Sequence, residues 1–299
     1  MSPALHPTPS LRDVTREQMR AVALVLRWPA LAAAALLVAA TVFVAAGLFE
    51  DATLIDFHPE QLPVFALIGA LLPIAVWKGE EPFGSGFFWT LPVDRRQHAL
   101  VKVLAGWMWL TGAVAVGVLW LLTLSLVSGE RIFAEETVRL LPAALLFSPP
   151  STVDPAALQM ARRTPEPLLW LVPFTAASAT YLLSSALKLG SRYPLRWLLG
   201  TIAAFFVIAG LAELTSTRWL LHTPDYVRPL ILGPYGFDTL ITARTEYLKV
   251  GTTLTTGESV VVWRGLPSVT QWAATTLLWT TAGLLALWAA ASRHGERRR

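Results

Sequence analysis

Long uncharged runs of apolar residues are the main pattern along the chain. Because a bilayer core of about 30 Å requires roughly 20 apolar residues in a helix, such runs predict membrane-spanning helices. Five clear runs and a shorter one predict six transmembrane helices, at 28–49, 61–77, 103–128, 167–187, 193–212 and 265–292. Snorkelling of flanking side chains accommodates the shorter spans. The pattern therefore predicts an all-α integral membrane protein whose transmembrane domain covers 28–292.

The segment before the first run, residues 1–27, has the pattern of an amphipathic helix. Ser10 and Asp13 have the spacing of a capping box, which marks a helix start. We expect this helix to lie on the inner membrane surface, although a solvated helical lead-in fits the same pattern. The first run is longer than the apolar core of a signal peptide, which has about 7–15 residues. We therefore expect the first run to be a retained membrane helix.

The distribution of basic residues predicts that both chain ends lie in the cytoplasm. In this orientation, with 188–196 counted as cytoplasmic, the cytoplasmic segments contain 15 Lys and Arg in 68 residues, and the outer segments contain 9 in 101 residues. Cytoplasmic loops of membrane proteins carry such an excess of basic residues. The basic tail 293–299 is the clearest anchor. An odd number of helices would break this contrast in basic residues between the two sides. We expect the protein to lie in a bacterial cytoplasmic (inner) membrane.

Two long connections are expected on the outer side, at 129–166 and 213–264. The second connection contains a Thr-rich and Val-rich stretch, Thr252–Val262, that is interrupted by Gly257. Residues of this kind around a glycine favour a β-hairpin. The sequence therefore predicts a partly folded outer loop before the last helix.

The motifs of the common catalytic sites are missing. A phosphate-binding loop ends in Gly-Lys, and none of the four lysines follows a glycine. The chain has no cysteine, which excludes cysteine-ligated zinc, and its five histidines form no His-Glu-x-x-His pair. We therefore expect no enzyme activity, no catalytic residue, no metal and no cofactor. The net charge of +4 is explained by topology anchors, so we also expect no nucleic-acid partner.

The uncharged runs of the predicted spans, which begin at 197 in the fifth span, contain no ionisable side chain, and most of their polar residues are Ser and Thr. This absence disfavours a proton-coupled transporter. Ala176, Thr180 and Ser184 repeat at four-residue spacing, a pattern typical of helices that approach closely. We interpret it as a packing face rather than a substrate site, and we predict no substrate-binding residue. Trp109 and Trp120 lie in mid-span and are interpreted as packing or lipid-facing residues.

The cytoplasmic connection 78–102 is the most informative segment. It contains an acidic pair, a Gly-rich aromatic stretch and then Leu-Pro-Val-Asp-Arg-Arg before the third helix. Pro92 biases the residue before it away from helix, so a short projection with charge on both sides is expected. Such a projection suits docking of a partner protein, and an ordinary re-entry loop fits the same residues. The candidate docking residues are Glu80, Glu81, Asp94, Arg95 and Arg96.

The same segment resembles the membrane subunits of type-2 ABC exporters. In that family a Leu-Pro-Val-(Ser/Asp)-Arg motif follows the second helix and a Lys precedes the third, and Leu91–Arg95 with Lys102 match this pattern. The specific motif covers a small part of the chain, while the similar architecture covers all of it. The resemblance implies a coupling helix in 78–102, a separate ABC ATPase subunit and a second permease copy. The loop 129–166 is longer than the family leads one to expect.

Two functions are compatible with these observations. The first is a permease subunit of an ATP-driven exporter, which moves an amphiphilic or lipid-like substrate within surrounding membrane lipid. The alternative is a structural or accessory subunit of a larger membrane complex that has no transport activity. An intramembrane enzyme is disfavoured because no nucleophile, base or metal constellation is present.

Overall fold

The structure is a computed structural model that describes most of the chain. The described residues are 11–50, 62–78, 95–127, 134–140, 158–194, 230–231, 233–243, 246–251 and 259–293, with positions 196, 199, 200, 203, 204 and 207. Six α-helices lie in this part, and they are α1 (Leu11–Glu50), α2 (Pro63–Val76), α3 (Arg95–Val127), α4 (Val172–Gly190), α5 (Phe237–Thr242) and α6 (Val269–Ser292). A 3₁₀ turn, Pro167–Leu171, leads into α4.

Four of these helices are long and apolar enough to cross a membrane. They are α1, α3, α4 with its 3₁₀ turn, and α6, while α2 is a shorter apolar helix of 14 residues. The apolar helices indicate a membrane protein. The predicted span at 193–212 lies mostly outside the described residues, although its described positions 194, 196, 199, 200, 203, 204 and 207 are helical.

The sequence predicted a surface helix at 1–27 and a separate span at 28–49. The structure shows no break between the two. One helix, α1, runs for 40 residues from Leu11 and passes through Pro29. Val22 is only 1% exposed and packs into the main apolar cluster together with Met19 and Leu26. A proline removes one backbone hydrogen bond, and packing of the preceding turns against α3 keeps the helix continuous. Residues 1–10 lie outside the described part.

Two helices run side by side in the same direction at the centre of the bundle, α2 and α4. The Thr180 hydroxyl donates a hydrogen bond of 2.9 Å to the Ala66 carbonyl, and Ser184 donates one of 2.5 Å to Ala70. Gly69 lies between these contacts, directly against the Ala177 carbonyl. This geometry confirms the interpretation of the four-residue repeat as a packing face.

The directions of the other helices follow from their contacts. Since the Tyr181 hydroxyl bonds to the Val103 carbonyl at 2.8 Å and Trp107 Nε1 to the Ser178 hydroxyl at 3.0 Å, α3 is antiparallel to α4. The last helix, α6, lies parallel to α4. Its Gly283 lies against Leu182. Nearer the carboxyl ends of the two helices, Gly190 of α4 lies against Ala290 of α6.

Tryptophans attach α1 to α3. Trp109 Nε1 donates to the Met19 carbonyl at 3.1 Å, and Trp120 Nε1 donates to the Thr41 hydroxyl at 2.8 Å. The earlier tryptophan of α3 bonds to the earlier residue of α1, and the later tryptophan bonds to the later residue. Helices α1 and α3 therefore run in the same direction. The interpretation of these mid-span tryptophans as packing residues is confirmed.

A four-stranded sheet shows that the fold is not purely α-helical. Its strands are β1 (Glu136–Leu140), β2 (Gln159–Arg163), β3 (Glu246–Gly251) and β4 (Ser259–Gly265), and their order is β2-β1-β4-β3. The predicted hairpin is confirmed as the antiparallel pair β3–β4. Its first strand lies before Thr252, however, and 252–258 fall outside the described residues. Loop 129–166 supplies β1 and β2, which the sequence analysis did not predict.

The sheet joins the two long connections to each other. β1 pairs in parallel with β4 where Leu140 lies opposite Trp263. The guanidinium of Arg163 on β2 lies 4.8 Å from the centre of the Trp263 ring, and both side chains are buried. The connection between α3 and α4 is therefore packed against the strand that leads into α6.

The close approach at Gly69 gives a test of the bundle. A Cβ atom at position 69 would clash with the Ala177 backbone carbonyl, which cannot move without shifting α4. We expect Gly69→Val to lower the free energy of unfolding in detergent. The loss should be at least that of an overpacked core, which is about 1–3 kcal/mol. Gly112→Val on α3 is the control, since nothing lies within 4 Å of its added Cβ. Equal thermal stability of the two variants would contradict the assigned α2–α4 contact.

Candidate functional site

The candidate docking segment begins and ends on helices that the structure describes. At its start, the Trp77 N–H donates to the Pro73 carbonyl and the Lys78 N–H to the Ala75 carbonyl, both at 3.0 Å, so α2 ends in a tight turn. At its far end, α3 begins at Arg95. Glu80, Glu81 and Asp94 lie outside the described residues. Their docking role and that of Arg95 and Arg96 stay predictions.

A buried cation and a buried indole join the two ends of the segment. Lys102 Nζ lies 4.8 Å from the centre of the Trp77 ring, and the two residues are 4% and 5% exposed. Desolvated contacts of this kind stabilise by about 2 kcal/mol or more. Trp77 packs into the same apolar cluster as Ala99 and Val103 of α3. The exit of α2 is thus fixed to the first turns of α3.

Lys102 has a different place from the one expected at the start of the third helix. Because α3 begins at Arg95, Lys102 lies two turns inside the helix. Position 102 is buried there because it faces α2. Helix α3 therefore extends about two turns before the first residue of the predicted span 103–128.

Arg96 contacts the last helix of the bundle. Its guanidinium carbon lies 5.9 Å from the centre of the Trp288 ring on α6, and Arg96 is half-buried while Trp288 is exposed. Among the five predicted docking residues, Arg96 is the one whose side chain is described. The sequence analysis did not single out Trp288. Its place in a Leu-Trp-Ala-Ala stretch near the carboxyl end of α6 gives no signal of a contact with a residue nearly two hundred positions away.

A buried hydrogen bond to a backbone carbonyl lies beside this site. Tyr181 is fully buried, and its hydroxyl donates to Val103, which is one residue after Lys102. The tyrosine ring also fills the space beside Gly106, where an added Cβ would clash with its hydroxyl. These groups hold α2, α3 and α4 together at the base of the segment. Nothing in their arrangement activates a nucleophile.

The site joins four helices. In the part of the chain that the structure describes, no three His, Asp or Glu side chains lie close enough to hold a metal ion. Two cation–aromatic contacts join α3 to the end of α2 and to α6, and one buried hydrogen bond joins α3 to α4. A force applied to the intervening segment would therefore reach all four helices.

Comparisons with known proteins give no relative for this chain: no family model, no curated protein and no solved structure matches it.

The Trp77–Lys102 contact can be measured with a double-mutant cycle. We expect a coupling of about 2 kcal/mol in the free energy of unfolding between Trp77→Leu and Lys102→Met, because the pair is desolvated. The cycle is needed because Lys102→Met also relieves the cost of a buried charge. The matched pair is Arg96→Met with Trp288→Leu, which is more exposed and should couple by only about 0.5–1 kcal/mol. Additive effects of Trp77→Leu and Lys102→Met would mean that the contact contributes nothing.

Proposed function

We propose that this chain is the membrane-spanning permease subunit of a type-2 ABC exporter, driven by a separate ATPase. The observation that carries the proposal is the fixed base at the Trp77–Arg96 end of the bundle. The segment between α2 and α3 begins and ends there, and its motif Leu91–Arg95 is the one that resembles the exporter family. A coupling element requires such a base, because a flexible attachment would absorb the motion of the ATPase.

Helix directions support six membrane crossings. The helices α4 and α6 lie side by side and run in the same direction, since Gly190 lies against Ala290 and Gly283 against Leu182. The end of α4 and the start of α6 are therefore at opposite ends of the bundle. The chain between them has to pass along the bundle once more. The predicted span 193–212, with its helical described positions, is the segment proposed for this crossing.

The sheet supports the proposed sidedness. β1 and β4 belong to different connections but pair with each other, so both connections lie on the same side of the membrane. The carboxyl end of α6 and the amino end of α3 lie at the other end of the bundle, where Arg96 meets Trp288. The excess of Lys and Arg in the segments at that end favours the cytoplasm.

The length of α1 favours a projection into the cytoplasm. At about 1.5 Å per residue, its 40 residues extend for about 60 Å, which is roughly twice the thickness of a bilayer core. Its first turns carry Arg12, Arg16 and Arg20. We propose that these turns lie at or beyond the inner membrane surface, beside the coupling segment.

The proposed energy source is a partner ATPase, since none of the lysines follows a glycine as in a phosphate-binding loop. The proposed substrate is amphiphilic or lipid-like. Support comes from the uncharged runs of the predicted spans, since Arg196, near the start of 193–212, is the one charged side chain within the stated bounds. It also comes from a groove of about 480 Å³ between α3 and α6 that is lined by Leu100, Thr281, Leu284, Leu285, Leu287 and Trp288.

Single cysteines test the topology, since the chain has none of its own. Gln97, Glu135 and Arg192 are exposed in the structure. We expect Glu135→Cys to react with an impermeant maleimide added to intact cells. Gln97→Cys and Arg192→Cys should react only after the membrane is permeabilised. Labelling of Gln97→Cys from outside would overturn the proposed orientation, and labelling of Arg192→Cys would overturn the helix count.

Charge reversal tests the docking surface. We expect Glu80→Lys/Glu81→Lys and Asp94→Arg/Arg95→Glu to weaken co-purification with the proposed partner ATPase. Loss of one partner of a buried charge pair costs about 2–5 kcal/mol, whereas rim charges mainly slow association. Arg162→Glu, on the exposed face of β2, is the control at the opposite end of the bundle.

Two results would count against docking at this surface. If both reversed variants bind the ATPase and transport as the wild type does, the segment is not the docking surface. If the wild type never co-purifies with an ATPase and comes out with unrelated membrane proteins, the accessory-subunit alternative replaces the exporter.

A further inference from the structure

A groove lies beside the contact between the carboxyl ends of α4 and α6. Its volume is about 840 Å³, and its walls are mainly small apolar side chains, among them Ala186, Ala286, Ala289 and Ala290. Alanines on both helices leave the groove open, because they lack the bulk to fill the space beside this contact. Arg192 and Arg293 line its mouth. The groove is thus apolar along its length and basic at one end.

The arginines at the mouth are available to an anion. Both are exposed, and within the described residues neither guanidinium has a carboxylate at ion-pair distance. Tyr193 stands between Arg192 and Arg196, whose guanidinium carbons lie 5.4 and 4.5 Å from the centre of its ring. Arg192 and Arg293 are therefore the two guanidinium groups at the mouth, and Arg196 contacts the same ring as Arg192.

We infer that this groove binds one anionic phospholipid from the adjacent leaflet, with its phosphate between Arg192 and Arg293 and an acyl chain along the alanine walls. The two halves of the site match the two halves of such a lipid. Basic pockets between transmembrane helices bind anionic headgroups, and an apolar groove of this size suits a hydrocarbon chain. A soluble anion would make no use of the alanine walls. An apolar protein segment would make no use of the arginines.

The inference requires only that this end of the bundle borders a membrane leaflet. It does not depend on the proposed exporter function, and its test contains no ATPase and no transport assay. A failure here would leave the exporter proposal in place, and a failure of the exporter proposal would leave the lipid site in place.

Native mass spectrometry of the purified chain in neutral detergent measures the site directly, with phosphatidylglycerol and phosphatidylcholine as the probes. We expect one phosphatidylglycerol to be retained in preference to phosphatidylcholine. Each of Arg192→Gln and Arg293→Gln should lower the affinity about fivefold, the contribution of one basic residue near an anionic lipid. Lys188→Gln is the control, since Lys188 lies on the last turn of α4 but does not line the groove.

A variant with a filled groove distinguishes specific binding in the groove from general electrostatic attraction to anionic lipid. Ala286→Leu/Ala289→Leu keeps every arginine and should lose the retained phosphatidylglycerol. Ala274→Leu, at an exposed position near the other end of α6, should retain it. Equal retention of the two lipids, or unchanged retention by the filled variant, would overturn the inference. In that case the arginines act only as topology anchors, or another part of the protein covers the groove.

Discussion

Close packing of α4 against α2 is the contact on which the rest of the bundle depends. Half of the most apolar 18-residue stretch of α4 is buried inside the protein, whereas none of the corresponding stretch of α1 is buried. Lipid tails are as apolar as leucine, so helices in a membrane gain little from burying leucines against each other. Gly69 and the hydroxyls of Thr180 and Ser184 supply close approach and hydrogen bonds instead. With α2 and α4 fixed, Tyr181 positions α3.

Most of the helices could be predicted from the sequence, because a bilayer requires long uncharged segments. Contacts between distant residues could not. Lys102 was placed before a helix since it is charged, yet the Trp77 ring allows it to lie inside one. Strands β1 and β2 are short and mostly polar, and they form because they pair with each other and with β4. The start of the apolar run suggested a boundary at residue 28, but packing of Val22 keeps α1 continuous.

The sequence predicted the candidate site as a set of charged residues in the segment between α2 and α3. The structure describes the helix ends that flank this segment. Sequence reasoning finds Glu80, Glu81 and Asp94 because charge in a short connection is visible in one segment. It does not find Trp288, whose part in the site depends on how α6 lies beside α3. The proposed coupling therefore depends on two kinds of residue. Charges in the segment select the partner, and aromatic residues in the bundle determine which helices respond.

The ties at the two ends of the bundle restrict how the helices can move. At one end the sheet holds the α3–α4 connection to the strand before α6. At the other end, Lys102 and Arg96 join α3 to Trp77 and to α6. A unit tied at both ends resists shear between its own helices, so α2, α3, α4 and α6 should respond to a push as one body. The most apolar stretch of α1 is not buried inside the protein, and two tryptophan hydrogen bonds hold this helix to α3. In the proposed exporter, relative motion within the subunit is therefore easiest between α1 and this body.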